Sequence, residues 1–229
     1  MKKKRAGFTL VEMVIVVTIL GILSGIGFMK FGNVQETSRK NAMFLLLCLF
    51  LLVGVILGVI CARNGDKSLI EKLDFLFLTD FENKRNMGLF SVFSASFASG
   101  FLLLLATFLL GISSWGFFVL PAIPLFKGFG FGISTGYMYA AYGASGIFYN
   151  ILVVLPGAFI SALVLIIISK ESFRFSWDIM TSLRGYKSDI SGEFRLYIIR
   201  IFWALIILAG ASVVDMLFSL VFSGLFSFS

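Results

Sequence analysis

The charged residues that an oily chain keeps inside its apolar stretches are the first candidates for chemistry, and here they are few. Lys127 stands between Phe126 and Gly128, and Asp215 is the one acidic residue within the last 30 positions. A charge placed there is costly, and it faces protein, water or a counter-charge. Two readings follow for Lys127. It pairs with Asp215, or its stem snorkels until the ammonium reaches a headgroup. Glu12 is a third carboxylate in apolar surroundings. The two cysteines, Cys48 and Cys61, share one apolar run. Thirteen residues of helix set them roughly 20 Å apart, beyond disulfide reach, so they are expected to pack as small hydrophobes. The chain has no histidine, which excludes imidazole triads and His-containing metal sites. No nucleophile, base and orienting residue cluster together. Neither an enzyme nor a cofactor is expected. A nucleotide-driven pump is excluded for this chain alone, since it lacks Gly-x-x-x-x-Gly-Lys-Ser/Thr.

The elements that must position these residues follow from composition. Of 229 residues 59% are hydrophobic and 14% charged, against roughly 45–50% and 25% in globular domains. Such a chain lacks the polar surface to cover a globule, so most of it should face lipid. That excludes a disulfide scaffold, a disordered protein and a soluble nucleic-acid binder. The net charge of +7 fits basic cytoplasmic loops and anionic headgroups better than nucleic acid. A membrane-spanning helix needs about 20 apolar residues. Such runs are Phe8–Phe31, Met43–Ala62, Leu89–Gly111, an irregular Phe117–Gly143 broken by Pro121, Pro124, Lys127 and glycines, Ile147–Ile168 with Pro156 inside it, and Leu196–Phe222. Continuous apolar runs do not alternate as barrel strands do. The expected fold is all-α: a polytopic transmembrane helix bundle of five core spans, preceded by an N-terminal hydrophobic helix. Gly32–Asn41 reads as a polar linker, Gly111–Trp115 as a turn, and Glu171–Arg195 as an interfacial helix or a cytoplasmic loop. Tyr137, Tyr139, Tyr142 and Tyr149 read as an interfacial aromatic belt, although a substrate pathway also uses such rings. Gly128, Gly132 and Gly136, at four-residue steps, form one small-residue helix face. It either packs within the bundle or receives a partner's helix.

Basic residues near span ends set orientation. Residues 170–200, with Lys170, Arg174, Arg184, Lys187, Arg195 and Arg200, are expected in the cytoplasm. Counting back through five spans puts residues 63–85 outside and residues 30–41 inside. The cluster Lys2 to Arg5 also belongs inside. If Phe8–Phe31 spans the bilayer, residues 32–41 must be outside, and the two demands conflict. Either the first segment lies in the interface or re-enters, or the later spans are inverted, or two unrelated gene pieces have been joined.

The opening Lys2-Lys-Lys-Arg-Ala-Gly7-Phe8-Thr-Leu-Val-Glu12, followed by an apolar run, resembles the leader of type IV prepilins and pseudopilins. The resemblance covers residues 1 to about 40. It implies cleavage between Gly7 and Phe8 by a membrane prepilin peptidase, methylation of the new amine on Phe8, and pairing of Glu12 with a neighbouring subunit's amine. A pilin continues into a soluble head, whereas residue 42 here opens a second hydrophobic segment. Exposing several spans of about 20 side chains, at ~1–2 kcal/mol each, forbids filament assembly of the full chain.

The rest resembles stage II sporulation protein M, a family of polytopic membrane proteins. The resemblance lies in Leu110-Gly-Ile-Ser113, Leu125-Phe-Lys127-Gly128-Phe-Gly-Phe-Gly132-Ile-Ser-Thr-Gly136-Tyr, then Gly143, Gly146, Val154-Leu155-Pro156, and Ala209–Val214 before Asp215. Gly157 stands where that pattern often has an amide. The chain thus divides into a prepilin-like leader and helix, 1–41, and a membrane domain, 42–229. The resemblance implies a non-enzymatic anchor or scaffold in the bacterial cytoplasmic membrane for peptidoglycan-hydrolase complex partners, of the engulfment type. The alternatives are a membrane component of a type IV pilus or secretion system and a small-solute permease. The expected partners are the lipid bilayer and a prepilin peptidase, not nucleic acid, and assembly with copies of itself stays open.

Overall fold

The computed structural model describes residues 34–64, 89–183 and 191–222. Helix α1 is Val34–Asn64, α2 Leu89–Ile112, α3 Gly116–Val119 and α4 Ala122–Tyr149; a π-helical turn, Asn150–Val154, leads into α5, Leu155–Leu183, and α6 is Ser191–Phe222. No strand occurs among the described residues. Five segments are long and apolar enough to cross a membrane: Ala42–Arg63, Val92–Ile112, Gly116–Tyr139, Asn150–Leu183 and Ser191–Val221. The chain is an all-α membrane protein, and large apolar side chains such as Leu49, Phe90, Leu109 and Phe202 point outward. Such a surface suits lipid, where backbone polar groups are satisfied within helices. The N-terminal helix expected over Phe8–Phe31, the processing residues Gly7, Phe8 and Glu12, and most of loop 63–85 lie outside the described residues.

Several expected boundaries are corrected. The linker Gly32–Asn41 is helical from Val34 onward, continuous with the first apolar run. Nothing from Val34 to Asn41 is a glycine or proline that would stop it. The region Phe117–Gly143 is less irregular than its composition suggested. It consists of the single turn α3, a short turn at Leu120–Pro121 in which Leu120 keeps helical backbone angles, and then α4. Pro124 is the third residue of α4, inside the first turn, where a missing N–H costs nothing because that group has no helical acceptor. The span expected over Ile147–Ile168 instead begins at Asn150 and runs on through the charged stretch to Leu183. The residues from Glu171 to Leu183 are therefore a continuation of α5 and not a loop, with Ser169, Ser172, Phe175 and Ser176 buried along it.

Between Thr135 and Asn150 the chain doubles back. Asn150 Nδ2 donates to Thr135 Oγ1 at 2.7 Å, whereas fifteen residues of straight helix would hold them about 22 Å apart. Contacts then fix the directions. Gly100 and Gly111 of α2 meet Leu208 and Tyr197 of α6, so these helices are antiparallel, while Gly128 and Gly132 of α4 meet Leu51 and Val55 of α1, so those are parallel. The described crossings thus alternate in direction.

The α1–α4 seam is the closest in the bundle. A Cβ built on Gly54 would lie 2.1 Å from Leu125 O, and one on Gly58 2.3 Å from Phe129 O. Reciprocally, a Cβ on Gly128 would lie 2.1 Å from Leu51 O and one on Gly132 2.2 Å from Val55 O. Only hydrogen fits at these four positions, and the two backbones touch. Glycine supplies the close approach that drives helix association where lipid removes any hydrophobic gain. A core of Phe44, Leu47, Cys48, Leu51, Val55, Val59 and Ile166 surrounds the seam. A second core, of Leu104, Val164, Ile168, Ala204 and Leu208, joins α2, α5 and α6. Helix α5 contributes to both, so it ties the two halves together.

Candidate functional site

Helices α2, α4, α5 and α6, with the π turn, line a partly open cavity of about 290 Å³. Its polar wall includes Lys127, Asp215, Ser96, Ser134, Tyr149 and Ser161, and its apolar wall includes Phe126, Phe131 and Val153. The two intramembrane charges singled out in the sequence thus share one chamber. Because α2 enters the bundle near Leu89 and α5 near Asn150, residues 92–103 and 149–161 place it toward the end remote from the 113–117 turn.

Each polar wall residue has a local reason to face inward. Ser96 of α2 donates to Asp215 Oδ2 of α6. Asp215 Oδ1 occupies the space in front of Gly157, where a Cβ would lie 1.8 Å from it. An amide or any larger side chain at 157 would displace the carboxylate. Gly157 is therefore what makes room for Asp215 in this chain. Lys127 is the sixth residue of α4, just past the proline-bounded turn. Gly128 faces α1, so its neighbour Lys127 is carried toward the cavity side. Ser134 is 4% exposed, and its Oγ has no hydrogen-bond partner within the protein. Tyr149 is 6% exposed; it lines the cavity rather than joining an aromatic belt, whereas Tyr139 is exposed.

The π turn and Pro156 are linked. Proline has no N–H, so the carbonyl one turn earlier loses its helical donor. A π turn at 150–154 precedes it directly, the kind of local rearrangement that accommodates such a loss. The turn carries Tyr149 and Val153 into the cavity wall. The small-residue face Gly128/Gly132/Gly136 does not offer a groove to a partner helix. Its occupant is α1 of the same chain, with Gly136 against Ala62.

At the opposite end polar groups close the bundle. The Phe117 backbone N–H donates to Ser176 Oγ at 3.0 Å, and Ser176 Oγ donates to Ser113 O at 2.5 Å. Ser172 Oγ and Tyr197 Oη share a hydrogen bond at 2.8 Å, and Tyr197 stacks on Phe175 and Phe108. Phe117 meets Trp177 edge-on at 5.2 Å. Glu171 and Arg200 form an ion pair on the partly exposed rim. No group of three potential metal ligands occurs among the described residues.

Sequence reasoning had singled out Lys127, Gly128, Gly132, Gly136, Pro156 and Asp215. The structure brings Lys127 and Asp215 to one cavity, sets the glycines in the α1 seam and places Pro156 behind the π turn. It had missed Gly54 and Gly58, whose four-residue spacing mirrors that of the partner face, and the serines. Ser96 and Ser134 were legible only as hydroxyls in apolar runs.

Residues 2–28 match the prokaryotic N-terminal methylation motif. No curated protein matches the chain, and no solved structure does. The matched segment contains Gly7, Phe8 and Glu12 and stops before the first described helix. The chain therefore carries a prepilin-type methylation motif on a body of membrane-crossing helices.

Proposed function

We propose that this chain is a non-enzymatic membrane scaffold of the stage II sporulation protein M kind, seated in the bacterial cytoplasmic membrane and carrying a prepilin-type processing signal. The observation that carries this reading is the length of the last two helices. Asn150–Leu183 is 34 residues and Ser191–Val221 is 31, about 51 and 46 Å of helix against a hydrocarbon core of about 30 Å. The excess, some 15–20 Å, is the charged hairpin that begins at Lys170 and ends at Arg200. It is braced by the Ser172–Tyr197 bond, the Phe175–Tyr197 stack and the Glu171–Arg200 pair. A braced helical hairpin standing out of the bilayer, with Trp177 and Leu183 exposed, suits partners that must be held at a membrane. The positive-inside bias of residues 170–200 places it in the cytoplasm, and the resemblance supplies the partner class, peptidoglycan-remodelling complexes.

Photo-crosslinking in cells tests the reading. A crosslinker at Trp177 or Leu183 is expected to give discrete adducts with cell-envelope proteins, and one at lipid-facing Leu109 is not. Adducts with lipid alone at all three positions would refute it. The matched motif at residues 2–28 favours a second reading, a membrane component of a type IV pilus or secretion system. In that case the adducts would be with pilus-assembly proteins, and they would depend on cleavage at Gly7.

A further inference from the structure

The foot of the charged hairpin holds an open groove of about 700 Å³ between α1 and α5, lined by Met43, Lys170, Glu171, Phe173, Arg174 and Trp177. Its three charges are not equivalent. Glu171 is paired with Arg200 of α6. Lys170 and Arg174 have no hydrogen-bond or ion-pair partner among the described residues. Four residues apart, they lie on one side of the helix, about 6 Å from each other along its axis. Toward α6 Arg174 also borders Asp178 and Glu193, and it pairs with neither. Two unanswered cations thus sit beside the apolar side chains of Met43 and Phe173.

Two helices mark the depth of this groove independently. On α1 the membrane-crossing segment opens at Ala42, just after Arg39-Lys40-Asn41. On α5 the uncharged run ends at Ser169 and the charges begin at Lys170. Met43 and Lys170 line the same groove, so both boundaries fall at one level. The headgroup layer above it is about 5–8 Å thick, and the ~6 Å from Lys170 to Arg174 crosses it. Trp177, 47% exposed with its ring edge-on to Phe117, stands at the outer rim, near the depth that tryptophan favours. A phosphate has the charge and the acceptors for both cations. A free anion would leave Met43 and Phe173 uncovered, and a zwitterionic headgroup would bring its own ammonium against Lys170 and Arg174. We propose that the groove binds one anionic glycerophospholipid of the cytoplasmic leaflet, its phosphate between Lys170 and Arg174 and the start of its chains on Met43 and Phe173. The inference rests on the hairpin leaving the bilayer at Lys170, not on what the hairpin holds.

The test uses the full chain in a non-ionic maltoside detergent. Thermal unfolding is followed as phosphatidylglycerol, phosphatidylcholine with the same chains, or glycerol phosphate is added, and native mass spectrometry counts the lipids retained. A raised midpoint and one tightly retained phosphatidylglycerol are expected, with neither from the other two additives. The concentration giving half the effect should rise about fivefold in Lys170→Gln and in Arg174→Gln. It should hardly change in Arg195→Gln, which removes an exposed charge of the same hairpin outside the groove. Without lipid the three variants should unfold with the wild type, since Lys170 and Arg174 bond to no described residue, so a weaker response in them is not misfolding. Equal effects of the two phospholipids, a full effect of glycerol phosphate, an unchanged response in both groove variants or the same weakening in Arg195→Gln overturns the proposal. Absence of the protein adducts expected at Leu183 would sink the scaffold reading and leave this one standing.

Discussion

The Asp215 carboxylate fills the place of the side chain that residue 157 lacks: a Cβ on Gly157 would sit 1.8 Å from Oδ1 and 2.2 Å from Cγ. The two positions are 58 residues apart in sequence and belong to α5 and α6. Residue 157 cannot gain a side chain unless Asp215 moves, and Asp215 lines the polar cavity.

This coupling is measurable. Gly157→Ala should destabilise the protein by about 1–3 kcal/mol, the usual cost of overpacking. Adding Asp215→Ala should restore much of that loss, because it removes the atoms that clash. The readout is the unfolding midpoint in detergent, followed with a thiol dye that reaches buried Cys48 only on unfolding. Additive losses would show that the two side chains do not compete for one space.

The α1–α4 seam makes a contrast between glycines. Gly132→Ala places a methyl group against the Val55 carbonyl, and backbone cannot yield as a side-chain tip can. A loss of roughly 1–3 kcal/mol is expected. Gly210→Ala meets nothing within 4 Å and should be neutral or stabilising, by up to ~1 kcal/mol of helix propensity. Equal effects at the two sites would contradict the packing described for the seam.

Ser176 serves two backbone groups at once, accepting from Phe117 N–H and donating to Ser113 O. Ser176→Ala strands the buried Phe117 N–H, while Ser113 O keeps the Gly116 N–H, and should cost about 1–3 kcal/mol. Thr181→Ala removes only a hydroxyl bonded to its own helix and should cost well under 1 kcal/mol. Differential scanning of the two variants decides between them.

The Glu171–Arg200 pair should matter little by itself. Its side chains are 24% and 48% exposed, and pairs of that kind contribute about 0–1 kcal/mol and weaken with salt. Glu171→Gln is expected to shift the unfolding midpoint slightly at low salt and not at all in 1 M salt. A large, salt-independent loss would mean that the rim excludes water.

Reporters at residues 36, 75 and 185 should place 75 outside and 185 in the cytoplasm, as alternating crossings and the basic hairpin require. The opposite result would show that the Lys2–Arg5 leader dictates orientation. In the same cells Gly7→Leu should block removal of the first seven residues, read as an intact N-terminus by mass spectrometry.

Composition and run length alone determined that this chain crosses a membrane several times. In lipid every backbone group must be satisfied locally, so an apolar run of about 20 residues has only the helix open to it. The motif around Gly7, Phe8 and Glu12 was legible for a similar reason, being contiguous and read by local recognition. Element ends were less legible. The helix ran on through polar residues 34–41 and charged residues 171–183 because polarity does not stop a helix, whereas glycine, proline and caps do. Partnership was the part no single span could reveal. Gly128, Gly132 and Gly136 announced a close approach without saying to what, and only the fold showed α1 already there, with Gly54 and Gly58 in matching register. Lys127 and Asp215 were visible as misplaced charges. That they line one chamber with Ser134, and that Gly157 makes the room for Asp215, depends on contacts among α2, α4, α5 and α6. Helix formation is decided within a few residues of chain, but a cavity is decided by the faces that distant helices turn toward one another.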